Sequence, residues 1–320
     1  MLKVAFLATT AVVLAACANE PSTPAERTAP TPSSSTWRLP ADGDLNALFD
    51  CLDENDATLV SAHRGGAFDG FPENAIESMI YTLERAPAMV EFDVATSSDG
   101  VLYLMHDDTL DRTTTGSGGA DAQPWSAISA LKLKDRNGDV TAFSPPTFEA
   151  ALSYLKGRTI AQIDFKSSTR YEDVVEIVKK QGADDRVIYI AYSMAAARKL
   201  HRLHPEAMIS LSVNSQSDLN RVVAAGVPAN RMLGFTGLEA PRPRLFRTLE
   251  AQNVEVIFGT LGGSRSIDRD IARTGDEDRY AEIASQGVDI IATDRPLAAH
   301  NALANAGLAP KAGVCGIAKT

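Results

Sequence analysis

The chain has 320 residues, with 31 Lys and Arg against 41 Asp and Glu for a formal net charge of −10, and 44% of it is hydrophobic. That length and apolar content suit one large α/β domain, and an acidic chain without a basic run argues against a nucleic-acid partner. No stretch points to a protein partner, and handling a phosphate anion with this charge balance requires a metal ion or a few well-placed cations.

Residues 1–16 (MLKVAFLATTAVVLAA) set one lysine, Lys3, before an apolar run too short to span a bilayer. This is secretory-signal architecture. Leu14-Ala15-Ala16-Cys17 resembles the bacterial lipobox, which implies cleavage before Cys17, lipidation of its thiol and a membrane anchor facing the periplasm of the cell envelope. An ordinary signal with a chance cysteine is the plainer alternative. Residues 17–40, rich in Pro, Ser and Thr, read as a tether; residues 41–307 read as the folded domain and 308–320 as a C-terminal tail. With Cys17 lipidated, Cys51 and Cys315 are left. They are either a disulfide joining the tail to the lead-in helix, as an oxidising compartment permits, or two unpaired thiols.

Within residues 42–55, Leu45, Leu48, Phe49 and Leu52 have helical spacing and predict a helix across a barrel bottom. Strands are expected at 58–62, 89–95, 159–165, 187–191, 207–213, 232–235, 254–259 and 290–293. Helices are expected at 74–85 (capped by Asn74), 147–155, 172–180, 195–203, 216–225, 244–252 and 278–286. Strand after helix after strand implies a parallel sheet with right-handed crossovers, and about eight repeats favour a closed TIM (β/α)8 barrel of the α/β class. An extra strand-like run at 101–105 follows the second strand. Residues 108–146, rich in Gly, Thr and Asp and far too long for a βα connection, predict a small inserted subdomain after strand 2, with a short helix around 125–131.

In a parallel barrel the carboxyl ends of the strands form the working face. His63 and Arg64 follow the first strand, Glu91 and Asp93 lie on the second, His106 comes just after the extra run, Asp164 and Lys166 close the third, and Asp294 follows the last. Residues two apart on a strand share a face, so Glu91 pairs with Asp93 and Asp164 with Lys166. Inward carboxylates from neighbouring strands repel unless a cation or a proton offsets them. Three oxygen ligands, Glu91, Asp93 and Asp164, suit Mg²⁺ or Ca²⁺ better than zinc. His63 and His106 suit an acid and a base near neutral pH, and Arg64 and Lys166 suit a phosphate, although Lys166 also suits simple balance of the local acids.

The ordered blocks HRGG…PEN, EFD, DG…MHDDTLDRTT, the Asp164-x-Lys166 pair and GVDIIATDRP resemble the glycerophosphodiester phosphodiesterase family over roughly residues 59–298. The resemblance implies a TIM barrel with an insertion and metal-dependent hydrolysis of glycerophosphodiesters to glycerol 3-phosphate and an alcohol. His63 and His106 match its catalytic pair, Arg64 its phosphate-contacting arginine, Glu91 and Asp93 two metal ligands, and Lys166 its lysine. It also implies that one histidine takes a proton from the nucleophile, for which the substrate's own glycerol hydroxyl is a candidate that gives a cyclic phosphate for water to open, and that the other protonates the departing alcohol. Asp164 stands where the family usually has glutamate. Where the family often shows an aromatic W-T block, this chain has Phe258-Gly259-Thr260-Leu261-Gly262-Gly263, a change expected to open the pocket wall. Phe68, Phe71 and Phe258 are then the candidates to line it.

Two alternatives follow from the same residues. One is a lysophospholipase D-like or phospholipase-like enzyme whose lipid enters past Trp125, Ile128, Leu131 and Leu133, unless these are the insertion's own core. The other is a non-catalytic phosphodiester-binding lipoprotein.

Overall fold

The computed structural model describes residue 1, residues 35–40 and residues 43–320. Cys17, the signal and most of the tether lie outside the described residues. Eight strands run parallel in chain order: β1 (Leu59–Ala62), β2 (Ala88–Thr96), β3 (Ala161–Phe165), β4 (Val187–Ala191), β5 (Met208–Ser212), β6 (Met232–Phe235), β7 (Glu255–Gly259) and β8 (Ile290–Thr293). β1 pairs with both β8 and β2, which closes the sheet into a barrel.

The alternation of side chains along each strand divides the apolar residues into two layers. Leu59, Met89, Ile188, Met208, Leu233, Ile257 and Ile290 point inward and fill the amino end of the barrel. Leu45, Leu48, Phe49 and Leu52 of the helix Leu45–Asp53 pack beneath them as a plug. Residues of the opposite parity, among them Val60, Val90, Phe92, Ile163 and Tyr189, belong to the outer layer against the surrounding helices. Covering both faces excludes water from the strands, so any charged inward residue must find a partner inside the barrel.

Two helices escape the periodicity argument. Ile267–Thr274 is capped by Ser266 and ended by left-handed Gly275, but it buries only Ile267, Asp268 and Ile271 in a charged run. Pro296–Asn305 starts with proline at its first turn and has alanine at four of its ten positions, so its two faces differ little in polarity. Asn74 does not cap its helix: Ile76–Leu83 starts after Ala75 with no side-chain cap, and Asn74 serves the site instead.

Residues just ahead of the plug helix meet the C-terminal residues below the plug. Trp37–Arg38 pairs antiparallel with Ala318–Lys319, Leu39 and Ile317 join the bottom cluster, and a disulfide links Cys51 to Cys315. The last residues of the expected tether and the C-terminal tail are thus docked on the domain. After β2 the strand Leu102–Leu104 folds back antiparallel on its end, Thr96 opposite Leu102 and Val94 opposite Leu104, and so returns the chain to the barrel mouth at His106. The insertion beyond it has its own small cores: Tyr103, Met105, Leu110 and Ile128 with Trp125 and Leu131 against them, and Leu133 with Phe143 and Phe71. Among the described residues no helix is long and apolar enough to cross a membrane.

Candidate active site

β2 and β3 are in register with Glu91 opposite Gln162 and Asp93 opposite Asp164. Inward parity therefore stacks three carboxylates at the mouth, and Glu91, Asp93 and Asp164 offer ligand oxygens that all lie within 4.8 Å of one another. All three are nearly inaccessible, at 6%, 1% and 5% exposure. Burial, then the neighbouring Asp93 charge, pushes the Glu91 carboxyl up to about 8. Burial also pushes the Asp164 carboxyl up. For Asp93 burial acts the same way, but the Lys166 and Arg64 charges outweigh it and hold the carboxyl below its usual range.

The chain supplies cations and donors to this cluster. Lys166 Nζ lies 2.7 Å from Asp93 Oδ1 and 2.9 Å from Asp164 Oδ2, which places it as the cation balancing these acids. The Arg64 backbone N–H donates to Glu91 Oε2 at 2.8 Å, its Nη1 donates to Glu73 Oε1 at 2.8 Å, and its Nε is 3.6 Å from Asp93 Oδ2. Arg64 reaches these positions from the left-handed backbone region, φ 54°, at the sharp turn after β1. Asn74, also left-handed at φ 58°, donates from Nδ2 to Asp93 Oδ2 at 2.7 Å and accepts the Asp93 N–H on Oδ1 at 3.0 Å. The Tyr192 hydroxyl, just past β4, donates to Asp164 Oδ2 at 3.0 Å.

Asp164 Oδ1 is buried without a partner. An orphan carboxylate oxygen beside two more carboxylates, with no sulfur or imidazole in the set, fits a hard divalent cation. The shorter aspartate is compatible with this, since its oxygens lie within ligating distance of the other two acids.

Each histidine is fixed by its own carboxylate. His63 Nδ1 is 2.6 Å from Asp294 Oδ1, and His63 Nε2 is 4.0 Å from Glu91 Oε2. Burial disfavours its charged form, but the Asp294 hydrogen bond and the Glu91 charge prevail and raise its pKa. Asp294 is held in turn by the Gly262 N–H at 3.0 Å, and its own N–H donates to buried Asp268 at 2.7 Å. His106 Nδ1 is 2.6 Å from Asp107 Oδ1. Arg112 grips both oxygens of Asp107 and both of Glu73 at 2.6–2.8 Å, so one guanidinium ties the partner of His106 to the partner of Arg64.

These groups open on a cavity of about 210 Å³ lined by His63, Glu91, Asp93, His106, Asp164 and Lys166 on one side. Tyr192, Ser210, Ser212, Phe235, Ile257 and Leu261 form the other. The aromatic expectation is corrected here. Phe258 is fully buried in the outer layer, and Phe68 and Phe71 stack on Tyr81 away from the cavity. Nor is the wall opened at Gly259. A Cβ there would clash with Leu238 and lie 3.4 Å from Phe235, so side chains from the β6 end occupy that space. Sequence reasoning assigned no site role to Asn74, Asp107, Arg112 or Tyr192. The first three stand inside the PEN and MHDDTLDRTT blocks, and Tyr192 follows a strand end, which was the available signal.

The family model described as glycerophosphoryl diester phosphodiesterase matches residues 63–298. The glycerophosphodiester phosphodiesterase of Caldanaerobacter subterraneus subsp. tengcongensis is 28% identical over 161 residues, 48% of this chain and 66% of that protein. Glycerophosphodiester phosphodiesterase 1 of Rattus norvegicus is 45% identical over 67 residues, 21% of this chain and 20% of that protein. The matched region thus spans just under two thirds of the first relative and a fifth of the second. A crystal structure of a glycerophosphoryl diester phosphodiesterase from Parabacteroides distasonis superposes with a TM-score of 0.77 at 26% identity, covering 89% of this chain and 99% of that one.

Proposed function

The chain belongs to the glycerophosphoryl diester phosphodiesterase family, and from that premise we propose that it hydrolyses glycerophosphodiesters to glycerol 3-phosphate and an alcohol, using Mg²⁺ or Ca²⁺ held by Glu91, Asp93 and Asp164. The carrying observation is the convergence, in one cavity, of this carboxylate trio with two imidazoles whose Nδ1 atoms are already committed to Asp294 and Asp107. A divalent cation at the trio supplies positive charge to a phosphate oxygen and so favours attack at phosphorus.

The protein's own groups do the rest. Fixing Nδ1 leaves Nε2 of each histidine for proton transfer. One imidazole takes the proton of the attacking hydroxyl, from water or from the substrate's glycerol, and the other gives a proton to the departing alcohol oxygen; where the glycerol hydroxyl attacks, water then opens the resulting cyclic phosphate to glycerol 3-phosphate. Lys166 and Arg64, both already beside Asp93, add positive charge where the phosphate sits. Asn74 and Tyr192 hold two of the carboxylates in one orientation.

The lipid reading loses the support of the insertion, because Ile128 and Leu133 are 0% and 2% exposed inside its small cores. A non-catalytic role would leave the two carboxylate-fixed histidines without a task. Lipidation at Cys17 and a periplasm-facing anchor form part of the same proposal and rest on the sequence alone.

The test is release of glycerol 3-phosphate from glycerophosphocholine, glycerophosphoethanolamine and glycerophosphoinositol, in chelator and then with Mg²⁺ or Ca²⁺ restored. Metal-dependent release from any of them is expected. Silence on all three from folded, metal-supplied protein contradicts the proposal.

A further inference from the structure

Asp268 is a buried acid with no part in the proposed chemistry. It sits in the first turn of the helix Ile267–Thr274, where an acid ordinarily faces solvent and complements the helix dipole. Asp270 of the same turn does so, paired with Arg273 and Arg279. Asp268 is turned inward instead and is 1% exposed. A carboxylate buried this far is costly unless donors meet its oxygens.

Its donors come from three places. The Tyr280 hydroxyl donates to Oδ1 at 2.7 Å, the Thr293 hydroxyl reaches both oxygens at 2.9 Å, and the Asp294 N–H donates to Oδ2 at 2.7 Å. Tyr280 and Thr293 are themselves fully buried. The Asp268 N–H in turn donates to the Thr260 carbonyl at 2.9 Å, which closes the loop from the end of β7 to the helix. That loop carries Gly262, whose N–H donates to Asp294 Oδ2 at 3.0 Å. Asp268 thus anchors Asp294 twice, directly through its backbone and indirectly through the loop that presents Gly262.

Asp294 depends on such an anchor. Its side chain is 40% exposed, so packing does not fix it, yet its Oδ1 is held 2.6 Å from His63 Nδ1. An exposed carboxylate exchanges a protein partner for water at little cost, so the position of its backbone decides whether it stays on the imidazole. An amide could not replace Asp268, because the NH2 of its side chain would face a donor where the carboxylate has only acceptors. We propose that Asp268 is a positioning residue for His63: it fixes the backbone of Asp294 and the loop carrying Gly262, and so keeps Nδ1 occupied and Nε2 free for the cavity. Its kinetic consequence rests on the phosphodiesterase reading, while the geometry it asserts at His63 is open to a spectroscopic test that needs no turnover.

That test records the Nδ1–H resonances of His63 and His106 in protein carrying isotope-labelled histidine, each assigned by its loss in His63→Gln or His106→Gln. Wild type is compared with Asp268→Asn and the milder Tyr280→Phe. His106, held separately by Asp107 and Arg112, is the internal control. The His63 proton should be protected from exchange with water in wild type and lost in Asp268→Asn. In Tyr280→Phe it should exchange about tenfold faster, the size of one good hydrogen bond, and the His106 proton should be unchanged in both variants. An unprotected His63 proton in wild type, an unchanged one in either folded variant, or equal loosening at both histidines overturns the proposal. If Asp268→Asn fails to fold, Tyr280→Phe decides alone. The kinetic arm uses glycerophosphoethanolamine with Mg²⁺. There kcat should fall about 10²-fold in Asp268→Asn with KM nearly unchanged, and the substitution should add little in an Asp294→Asn background. A normal kcat, a loss confined to KM, or full additivity with Asp294→Asn overturns the proposal. If wild type does not hydrolyse the diester, the functional reading fails and the resonances alone decide.

Discussion

The barrel buries carboxylates at both ends, and Asp93 at the mouth and Glu255 at the bottom are treated in opposite ways. At the mouth Asp93 receives Lys166, Arg64 and both groups of the Asn74 amide, and its carboxyl is driven below the ordinary range. At the bottom Glu255 points inward from β7 at 6% exposure, with Asp289, Asp50 and Asp53 as charged neighbours and no side-chain hydrogen bond among the described residues. Burial first, and then the Asp289 charge, pushes its carboxyl up to about 9, so it is neutral at physiological pH. Burial does the same to Asp289, to about 7. A buried acid surrounded by arranged donors is set up to act as an anion, whereas one among other acids keeps its proton. The same residue type at the same depth thus means chemistry at one end and tolerated cost at the other.

The strongest way to break this contrast is at the mouth. His63→Ala and His106→Ala should each lower kcat by roughly 10²–10⁴, with circular dichroism and Tm nearly unchanged because both side chains sit on the cavity wall rather than in the core. A variant with near-normal turnover removes that histidine from the mechanism. At the bottom the largest effect comes from the staple. The Cys51–Cys315 bond closes a loop with a separation of 264 residues. Replacing both cysteines by alanine should cost up to about 5 kcal/mol in urea unfolding while sparing turnover at 25 °C.

Glu255→Gln sharpens the comparison through pH. The folded protein holds the Glu255 proton up to about 9, whereas the unfolded chain loses it near 4.5. Between those values the native state binds more protons, so stability falls as pH rises, by at most roughly 1.4 kcal/mol per pH unit. Glutamine removes that slope, so the variant's advantage in Tm should be absent near pH 4 and grow up to pH 9. An equal advantage at all pH values would show that Glu255 is ionised throughout. The smallest effect is expected for Tyr192→Phe, which deletes one hydrogen bond to Asp164 and should weaken divalent-cation affinity about tenfold, at the low end for an outer hydrogen-bond partner.

The barrel was legible because its strands are short, apolar and evenly spaced, and because inward and outward residues alternate strictly on β2 and β3. Ile267–Thr274 and Pro296–Asn305 were not, since a charged helix burying few residues and an alanine-rich one lack the polarity contrast that periodicity needs. Residue types at strand ends named the carboxylates and histidines, because parity alone decides where they point. It did not reveal that Asn74 spends its side chain on Asp93 instead of a helix cap, or that Arg112 links Glu73 to Asp107. Those contacts depend on left-handed turns and on an insertion folding back, which no local pattern encodes. The pocket aromatics failed for a similar reason: Phe258 has the wrong parity, and Phe235 comes from a neighbouring strand.

The most direct measurement is a calorimetric titration of the metal-stripped protein with Mg²⁺ and with Ca²⁺, run on wild type, Asp93→Asn and Glu255→Gln. The account predicts one divalent cation per chain in wild type, its loss in Asp93→Asn, and unchanged binding in Glu255→Gln. Full binding in Asp93→Asn, or loss of binding in Glu255→Gln, would contradict the assignment of the mouth carboxylates as the metal site.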